Sequence, residues 1–324
     1  MPKAMRIEKT GGPEVLQWVE VDVGEPGPGQ ARVRHKAVGL NFVDIYQRSG
    51  IYKIQLPSGL GSEGAGVVEA VGSGVTEVKP GDRVTYYGGP LGAYSEVRNM
   101  PAARMIVLPE SISFETAAAM TLKGLTAQCM LRSVYRVRPG DTILWQAAAG
   151  GVGLIACQWA KALGAIVIGT AGSPEKVALA KAHGCDHVID YTREDFVERV
   201  REITAGTGVH AAYDAVGKDT FMGSLDCLRT RGILVNFGGA SGPVPLLDVA
   251  VLSQKGSLYV TRASAVTYFA ERADLEAGAR ELFDIVGSGK VKIEINARYP
   301  LKDAGRAHKD LVARKTTGST ILIP

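Results

Sequence analysis

The chain has 324 residues, 46% of them hydrophobic and 22% charged, which suits a folded globular protein long enough for two domains rather than one. Its 37 Lys and Arg against 33 Asp and Glu give a formal net charge of +4, too balanced for a nucleic-acid binder but compatible with a local basic pocket for an anionic cofactor. No apolar run reaches the roughly 18 residues that span a bilayer, and the opening MPKAMRIEKTGG has no signal-peptide core, so a cytoplasmic location is expected.

The first third reads as β-rich. Short alternating runs (Ala31 to Val38, Gly66 to Val71) are broken by turn clusters at Gly24 to Gly29, Gly72 to Gly74 and Lys79 to Asp82, a pattern that predicts a barrel-like or sandwich-like fold. Near Ser111 the character changes. Phe114 to Met130 is Ala-rich and helix-compatible, and strand–helix alternation follows: a strand at Thr142 to Gln146, a helix with Val152, Ile155, Ala156, Trp159, Ala160 and Leu163 on one face and Gly164 as its stop, then a strand at Ile166 to Thr170. Ser173-Pro174 has the N-cap and first-turn signature of a helix ending at about His183 before Gly184. Further strands are expected at His187 to Ile189, Ala211 to Ala215, Gly232 to Phe237 and Ser257 to Thr261. Such alternation implies an α/β, doubly wound parallel sheet. After about Ala270 a helix (Leu275 to Gly287), a strand-like segment (Val291 to Pro300), a helix (Leu301 to Val312) and a terminal ILIP strand are expected to return to the first domain. The expected division is 1–124 plus 267–324 for the first domain and 125–266 for the second.

The chemistry begins at the first strand–helix junction. In Ala147-Ala148-Ala149-Gly150-Gly151-Val152-Gly153, Gly150 and Gly153 match the second and third glycines of GxGxxG, and Ala148 takes the first position. The pattern predicts a dinucleotide pyrophosphate at the helix N-terminus, where bare backbone N–H groups carry partial positive charge. A tight βα turn alone would also want glycine, but here the loop follows an apolar strand and opens an amphipathic helix. Folds that use NAD place an acid about 20 residues after the glycines to hold the ribose 2′-hydroxyl. Here the second strand runs out through Ala171, Gly172 and Ser173 with no acid, and Lys176 follows. A carboxylate repels a 2′-phosphate and an ammonium binds it, so NADPH is the expected cofactor. Ser173 can be helix cap, phosphate ligand or both. Lys176, as a cation in a first helical turn, opposes the helix dipole unless an anion sits there, although Glu175 partly offsets that argument.

The stretch from Gly140-Asp141 through Leu144, Ala148 to Gly151, Gly153, Gln158 and Lys161 resembles the signature of the quinone oxidoreductase and zeta-crystallin group of zinc-free medium-chain dehydrogenases/reductases. Gly12-Pro13-Glu14-Val15-Leu16, Gly39 to Asp44, Leu122 to Thr126 and Gln254 to Leu258 agree with it. The resemblance spans the whole chain and implies a GroES-like catalytic domain enclosing a Rossmann domain, with NADPH-dependent reduction of quinones as the activity. It makes Ser173, Lys176 and Tyr191 the expected 2′-phosphate contacts. It also places Phe42, Asp44, Thr126, Gly150, Gly151, Val152, Gly172, Phe237, Gly238, Ser264 and Arg314 along the cofactor, and Asn41, Tyr46 and Tyr52 in the active cleft, where they would hydrogen-bond the acceptor oxygen. On spacing alone Asn41 reads as a turn residue and the two tyrosines as half-buried loop aromatics. Asp44 and Glu63 can be pocket members or buried structural partners of basic residues, the structural role being favoured for Glu63.

Zinc enzymes of the wider superfamily carry a Gly-His-Glu motif and an upstream ligand Cys. The matching stretch here is Gly61-Ser62-Glu63-Gly64, with no Cys near Asn41 to Asp44, so no catalytic metal is expected. Cys129, Cys157, Cys185 and Cys227 form no CxxC pair, and the five histidines form no ligand cluster; they read as surface or packing residues. Without a Lewis acid, hydride transfer to a quinone or an activated enone is expected rather than alcohol oxidation. An alkenal or enone reductase is the alternative enzyme, and an RNA-binding or crystallin-like structural role is the alternative of another class. A homodimer is expected if Ser257 to Thr261 is an unpaired sheet edge.

Overall fold

A computed structural model describes residues 1–324. The chain divides into two compact units, one formed by Met1–Lys123, Glu271–Phe283 and Ile293–Pro324, the other by Gly124–Ala270 and Asp284–Lys292.

The first unit opens with strands β1 (Lys3–Ile7), β2 (Gln17–Glu20) and β3 (Gln30–Leu40), helix α1 (Phe42–Ser49), then strands β4 (Ser58–Gly59), β5 (Glu63–Val71), β6 (Arg83–Tyr87), β7 (Val97–Pro101) and β8 (Met105–Val107). Helix α2 (Phe114–Gln128) carries the boundary to the second unit. There, strands β9 (Thr142–Trp145), β10 (Ile166–Ala171), β11 (His187–Asp190), β12 (Val209–Asp214), β13 (Leu228–Asn236) and β14 (Tyr259–Arg262) alternate with helices α3 (Gly151–Ala162), α4 (Pro174–Ala182), α5 (Phe196–Ile203), α6 (Phe221–Asp226), α7 (Ala250–Gln254) and α8 (Ala265–Tyr268). Helix α9 (Arg272–Gly287), strand β15 (Ile295–Pro300), helix α10 (Ala304–Val312) and strand β16 (Ser319–Ile323) close the chain.

In the first unit a seven-stranded sheet runs β15-β16-β3-β5-β6-β8, with β7 also paired to β3, beside a small sheet β2-β1-β4. Strand β3 is the spine: its inward residues Ala31, Val33, Val38 and Leu40 join Val68, Val84, Tyr86, Met100, Met105 and Leu322 in one core. The second unit is a six-stranded parallel sheet in the order β11-β10-β9-β12-β13-β14, the doubly wound Rossmann arrangement. Its strands bury Leu144, Ile168, Ile189, Ala212 and Leu234 against Val200, Phe221 and Leu225 of the covering helices. The α/β fold with a β-rich partner domain is as the sequence pattern implied.

Four elements differ from the pattern in detail. The Ala-rich helix stops at Gln128 and continues as one wide turn, Cys129–Val134, in which the i→i+5 bonding takes over. Of the Val291 to Pro300 segment only Ile295–Pro300 is strand. Leu301–Asp303 is a tight 3-10 turn that precedes α10. Ser257 adopts a left-handed φ of +55°, so β14 begins only at Tyr259.

Candidate active site

In the second unit the expected dinucleotide loop is a tight turn between β9 and α3. Gly150, extended at φ −77°, caps α3, and no side chain bonds to that helix's first turn. The turn is braced by neighbouring β10: the Ala147 N–H donates to Thr170 Oγ1 at 3.1 Å and the Ala148 N–H to the Thr170 carbonyl at 2.9 Å. Ala148 substitutes for the first glycine because the strand beside it gives way. A Cβ on Gly169 would lie 2.7 Å from the Ala148 methyl, so the missing side chain of one residue houses the other. Gly153 is required by closeness: a Cβ there would stand 2.5 Å from the Ala148 carbonyl oxygen and 2.7 Å from that of Ala147. At Gly150 such a Cβ meets a single atom within 4 Å, the Ala147 carbonyl oxygen at 3.2 Å, close but without the overlap seen at Gly153. Gly151 and Val152 follow as the first residues of α3.

Gly172, Ser173, Lys176 and Tyr191 come together where β10 and β11 end. The Tyr191 N–H donates to the Ala171 carbonyl at 3.1 Å, and its hydroxyl lies against Gly172, where a Cβ would meet it at 2.3 Å. Ser173 caps α4, its hydroxyl oxygen accepting the Lys176 N–H at 3.3 Å. The exposed Glu175 carboxyl hydrogen-bonds the same hydroxyl, which lowers its pKa. Phe237 and Gly238 follow β13, with Phe237 packed on Trp145 at 5.5 Å between ring centroids. Thr126 lies on α2 within this unit, and Ser264 caps the short α8 after β14. An uncapped α3 N-terminus, a bare Gly150 and the acid-free end of β10 beside Lys176 fit a phosphorylated dinucleotide.

In the first unit the residues Asn41, Phe42, Asp44, Tyr46 and Tyr52 gather on and beside α1. Asn41 caps the helix in a capping box with Asp44, whose Oδ2 accepts the Asn41 N–H at 2.9 Å. Phe42, Tyr46 and Tyr52 form a partly exposed aromatic cluster, with the Tyr46 and Tyr52 rings edge-on at 5.2 Å and the Phe42 and Tyr46 rings 6.2 Å apart. Asp44 itself is fully buried, its carboxylate also accepting from the Tyr94 hydroxyl at 2.9 Å. Arg314 follows α10 in the left-handed region at φ +58°.

Sequence reasoning passed over what stands behind these residues. Arg48 donates to His308 Nδ1 at 3.2 Å, His308 Nε2–H faces the Tyr94 oxygen at 3.0 Å, and Tyr94 donates onward to Asp44, so the tautomer is set from one end of the chain to the other. His308 lies more than 200 residues from the other members, which carry no local motif. Burial pushes the Asp44 pKa up to about 7 and that of His308 down to about 3. His35, whose ring nitrogens meet the Ser95 carbonyl at 2.6 Å and the Tyr86 hydroxyl at 2.7 Å, falls to about 4, again mainly through burial.

These shifts set a pH dependence. Between about pH 4 and 6.5 the unfolded chain takes protons on both histidines that the fold refuses, while Asp44 keeps one proton that the unfolded chain releases. The two histidines make stability fall on acidification in that window, by up to about 1.4 kcal/mol per pH unit each, while the buried carboxyls of Asp44 and Glu63, both raised by burial, oppose it. Asp44→Asn removes one opposing group and should steepen the fall. Urea unfolding midpoints at pH 4.5, 5.5 and 6.5 check this; a dependence no steeper in Asp44→Asn than in the parent protein contradicts it.

The donor set does not fit a catalytic zinc. The first unit has no cysteine, Ser62 stands before Glu63, both ring nitrogens of His35 and His308 are spent within the protein, and no three His, Cys, Asp or Glu side chains converge. All four cysteines are buried and unpaired.

A GroES-like half and a Rossmann half in one chain, with this loop at the first βα turn, define a medium-chain dehydrogenase/reductase. Residues 27–110 match the alcohol dehydrogenase GroES-like domain family, and residues 151–284 match the zinc-binding dehydrogenase family. The chain is 55% identical to a quinone oxidoreductase of Pseudomonas aeruginosa over the full length of both chains. It superposes on the Escherichia coli quinone oxidoreductase structure complexed with NADPH with a TM-score of 0.97 at 51% identity, covering 99% of this chain and 100% of that one. A 2-haloacrylate reductase of Burkholderia is 45% identical, with 100% of this chain and 99% of the relative covered. The chain belongs to the quinone oxidoreductase family.

Proposed function

We propose that the chain reduces quinones with NADPH and without a metal. The observation that carries this is the Rossmann unit's phosphate loop joined to an acid-free β10 end with Ser173 and Lys176, in a chain 55% identical to a quinone oxidoreductase throughout. Bound NADPH supplies a hydride from the nicotinamide C4. The protein's part is to hold and orient. Backbone N–H groups of α3 receive the pyrophosphate, and Ser173, Lys176 and Tyr191 the 2′-phosphate. Phe42, Thr126, Phe237, Gly238, Ser264 and Arg314 flank the remainder of the cofactor, and Asp44 acts from beneath through Asn41. Asn41, Tyr46 and Tyr52 offer hydrogen bonds to the acceptor oxygen, and the Phe42–Tyr46–Tyr52 cluster offers apolar ring surface to a quinone.

A second substrate class has support from the 2-haloacrylate reductase likeness: reduction of an electron-poor carbon–carbon double bond uses the same hydride. NADPH consumption measured in parallel with 1,4-benzoquinone and with 2-chloroacrylate decides between them. Turnover of the quinone at least tenfold faster in kcat/KM is expected, and the reverse order overturns the quinone assignment. A reduced quinone takes its protons from water, so no side chain is obligatory as donor. Tyr52→Phe should therefore keep at least about a tenth of wild-type kcat; complete loss in stopped-flow hydride transfer contradicts this.

The assembly proposed is a homodimer. Strand β14 is one of the two edges of the six-stranded sheet, and Tyr259 on it is 61% exposed. A two-fold copy could pair there and remove the edge. Val260→Pro takes a ladder N–H from that strand and should shift the mass in analytical ultracentrifugation from dimer to monomer; an unchanged dimer places the interface elsewhere. No helix is long and apolar enough to cross a membrane.

A further inference from the structure

Behind Asn41 lies a buried ion pair, Glu63 with Lys123. Glu63, the first residue of β5, has no exposed surface. Its Oε1 accepts the Leu122 N–H at 2.6 Å, and its Oε2 accepts the Asn41 Nδ2–H at 2.8 Å while lying 3.6 Å from Lys123 Nζ. Lys123, also buried, donates to the carbonyl of Leu40, the residue before Asn41, at 3.3 Å. The slot that holds the carboxylate is opened by Gly39, where a Cβ would stand 2.1 Å from Glu63 Oε2. Three neighbours of Asn41 in sequence or space are thus arranged around one carboxylate.

A buried ion pair is weak evidence for stability, since an apolar pair of like volume often serves as well. What an apolar pair cannot do is orient an amide. Burial pushes the Glu63 pKa up, but the Lys123 ammonium, the Asn41 NH2 and the Leu122 N–H all face its two oxygens and favour the ionised form. An ionised carboxylate only accepts, so the Asn41 group facing Glu63 must be its NH2, whereas the two ends of an unconstrained amide are nearly isosteric. With one N–H spent on Glu63 and the backbone pinned by Asp44, Asn41 has a single N–H left to offer, in a fixed direction.

We propose that Glu63, paired with Lys123, is a positioning residue for the reduction: it fixes the Asn41 amide and thereby the N–H that meets the acceptor oxygen. This rests on the role of Asn41 proposed above. It predicts that the loss caused by altering Glu63 passes through Asn41 alone.

The test is a double-mutant cycle on the full-length enzyme. Glu63→Gln should lower kcat/KM for benzoquinone roughly tenfold with Asn41 present and by less than about twofold in an Asn41→Ala background, with the KM for NADPH within about twofold throughout. Equal losses in the two backgrounds, or a loss matched by an altered KM for NADPH, overturn the positioning role and leave the Asn41 reading standing. Undiminished quinone turnover by Asn41→Ala alone overturns both. Glu63→Asp, which keeps the charge but withdraws it from Asn41, is expected to show the same dependence on Asn41. A readout independent of any Glu63 variant is the side-chain NH2 signal of Asn41 in asparagine-labelled wild-type protein, identified by its loss in Asn41→Ala. Two well-separated protons, one of them slow to exchange, are expected; an averaged, freely exchanging pair overturns the proposal.

Discussion

Gly153→Ala should cost both fold stability and dinucleotide affinity, whereas Gly150→Ala should cost affinity alone. The contrast follows from what each added methyl meets. At position 153 it stands 2.5 Å and 2.7 Å from two carbonyl oxygens of the preceding turn, which are backbone atoms braced by Thr170 and unable to swing aside. Relief requires α3 to lift from the end of β9, at about 1–3 kcal/mol of overpacking, and every N–H of the helix's first turn moves with it. At position 150 the methyl has one neighbour within 4 Å, the Ala147 carbonyl oxygen at 3.2 Å, and on the proposed placement of the cofactor it stands against the pyrophosphate. Thermal unfolding should therefore separate the variants, while fluorescence titration with NADPH should show both weakened at least about tenfold. Equal melting temperatures for the two variants contradict the steric account of Gly153, and undiminished NADPH affinity in Gly150→Ala contradicts the placement of the phosphate.

How much of this was legible in the sequence depends on whether the cause was local. The Rossmann half was readable because its strands, glycine stops and Ser173 cap each follow from nearest neighbours in the chain. The substitution of Ala148 for a glycine was visible, but its cause was not: the space comes from Gly169 on the adjacent strand, a relation that exists only once β9 and β10 pair in register. Asn41, Tyr46 and Tyr52 were nameable through resemblance, since isolated polar residues in a turn carry no periodic signal. The partners behind them were not. Tyr94, Arg48, His308 and Lys123 are ordinary residues in ordinary local contexts, made into a network by strand crossovers and by the return of the C-terminal segment. The favoured structural role for Glu63 anticipated burial beside a basic residue but identified neither Lys123 nor the bond to Asn41. Even the end of α2 illustrates the limit, because Cys129, Met130 and Leu131 fit a continuing α-helix locally but lie buried in a wider turn.

Lys176→Ala should weaken NADPH by about 10- to 100-fold while leaving NADH within about twofold, the difference that loss of one charge-assisted contact of about 1.5–3 kcal/mol produces. On the proposed placement of the 2′-phosphate, discrimination is a balance of two adjacent charges. The Ser173 hydroxyl accepts the Lys176 N–H and hydrogen-bonds the Glu175 carboxylate, so an arriving 2′-phosphate must take over a hydroxyl that an anion already holds. Glu175 thus acts against the phosphate, through repulsion and through competition for Ser173, and Lys176 must outweigh it. The exposure of Glu175 makes that opposition modest and salt-sensitive. Glu175→Gln should therefore tighten NADPH by a few-fold without affecting NADH, and the gain should shrink between 50 mM and 500 mM salt. The two substitutions act on the same phosphate from opposite sides. Measured by isothermal titration with both cofactors, Lys176→Ala must change the NADPH to NADH affinity ratio and Glu175→Gln must change it in the other direction. A parallel loss of both cofactors in Lys176→Ala would mean that the lysine supports the β10–α4 turn rather than the phosphate, and NADPH selectivity would then have to come from Ser173 and Tyr191 alone.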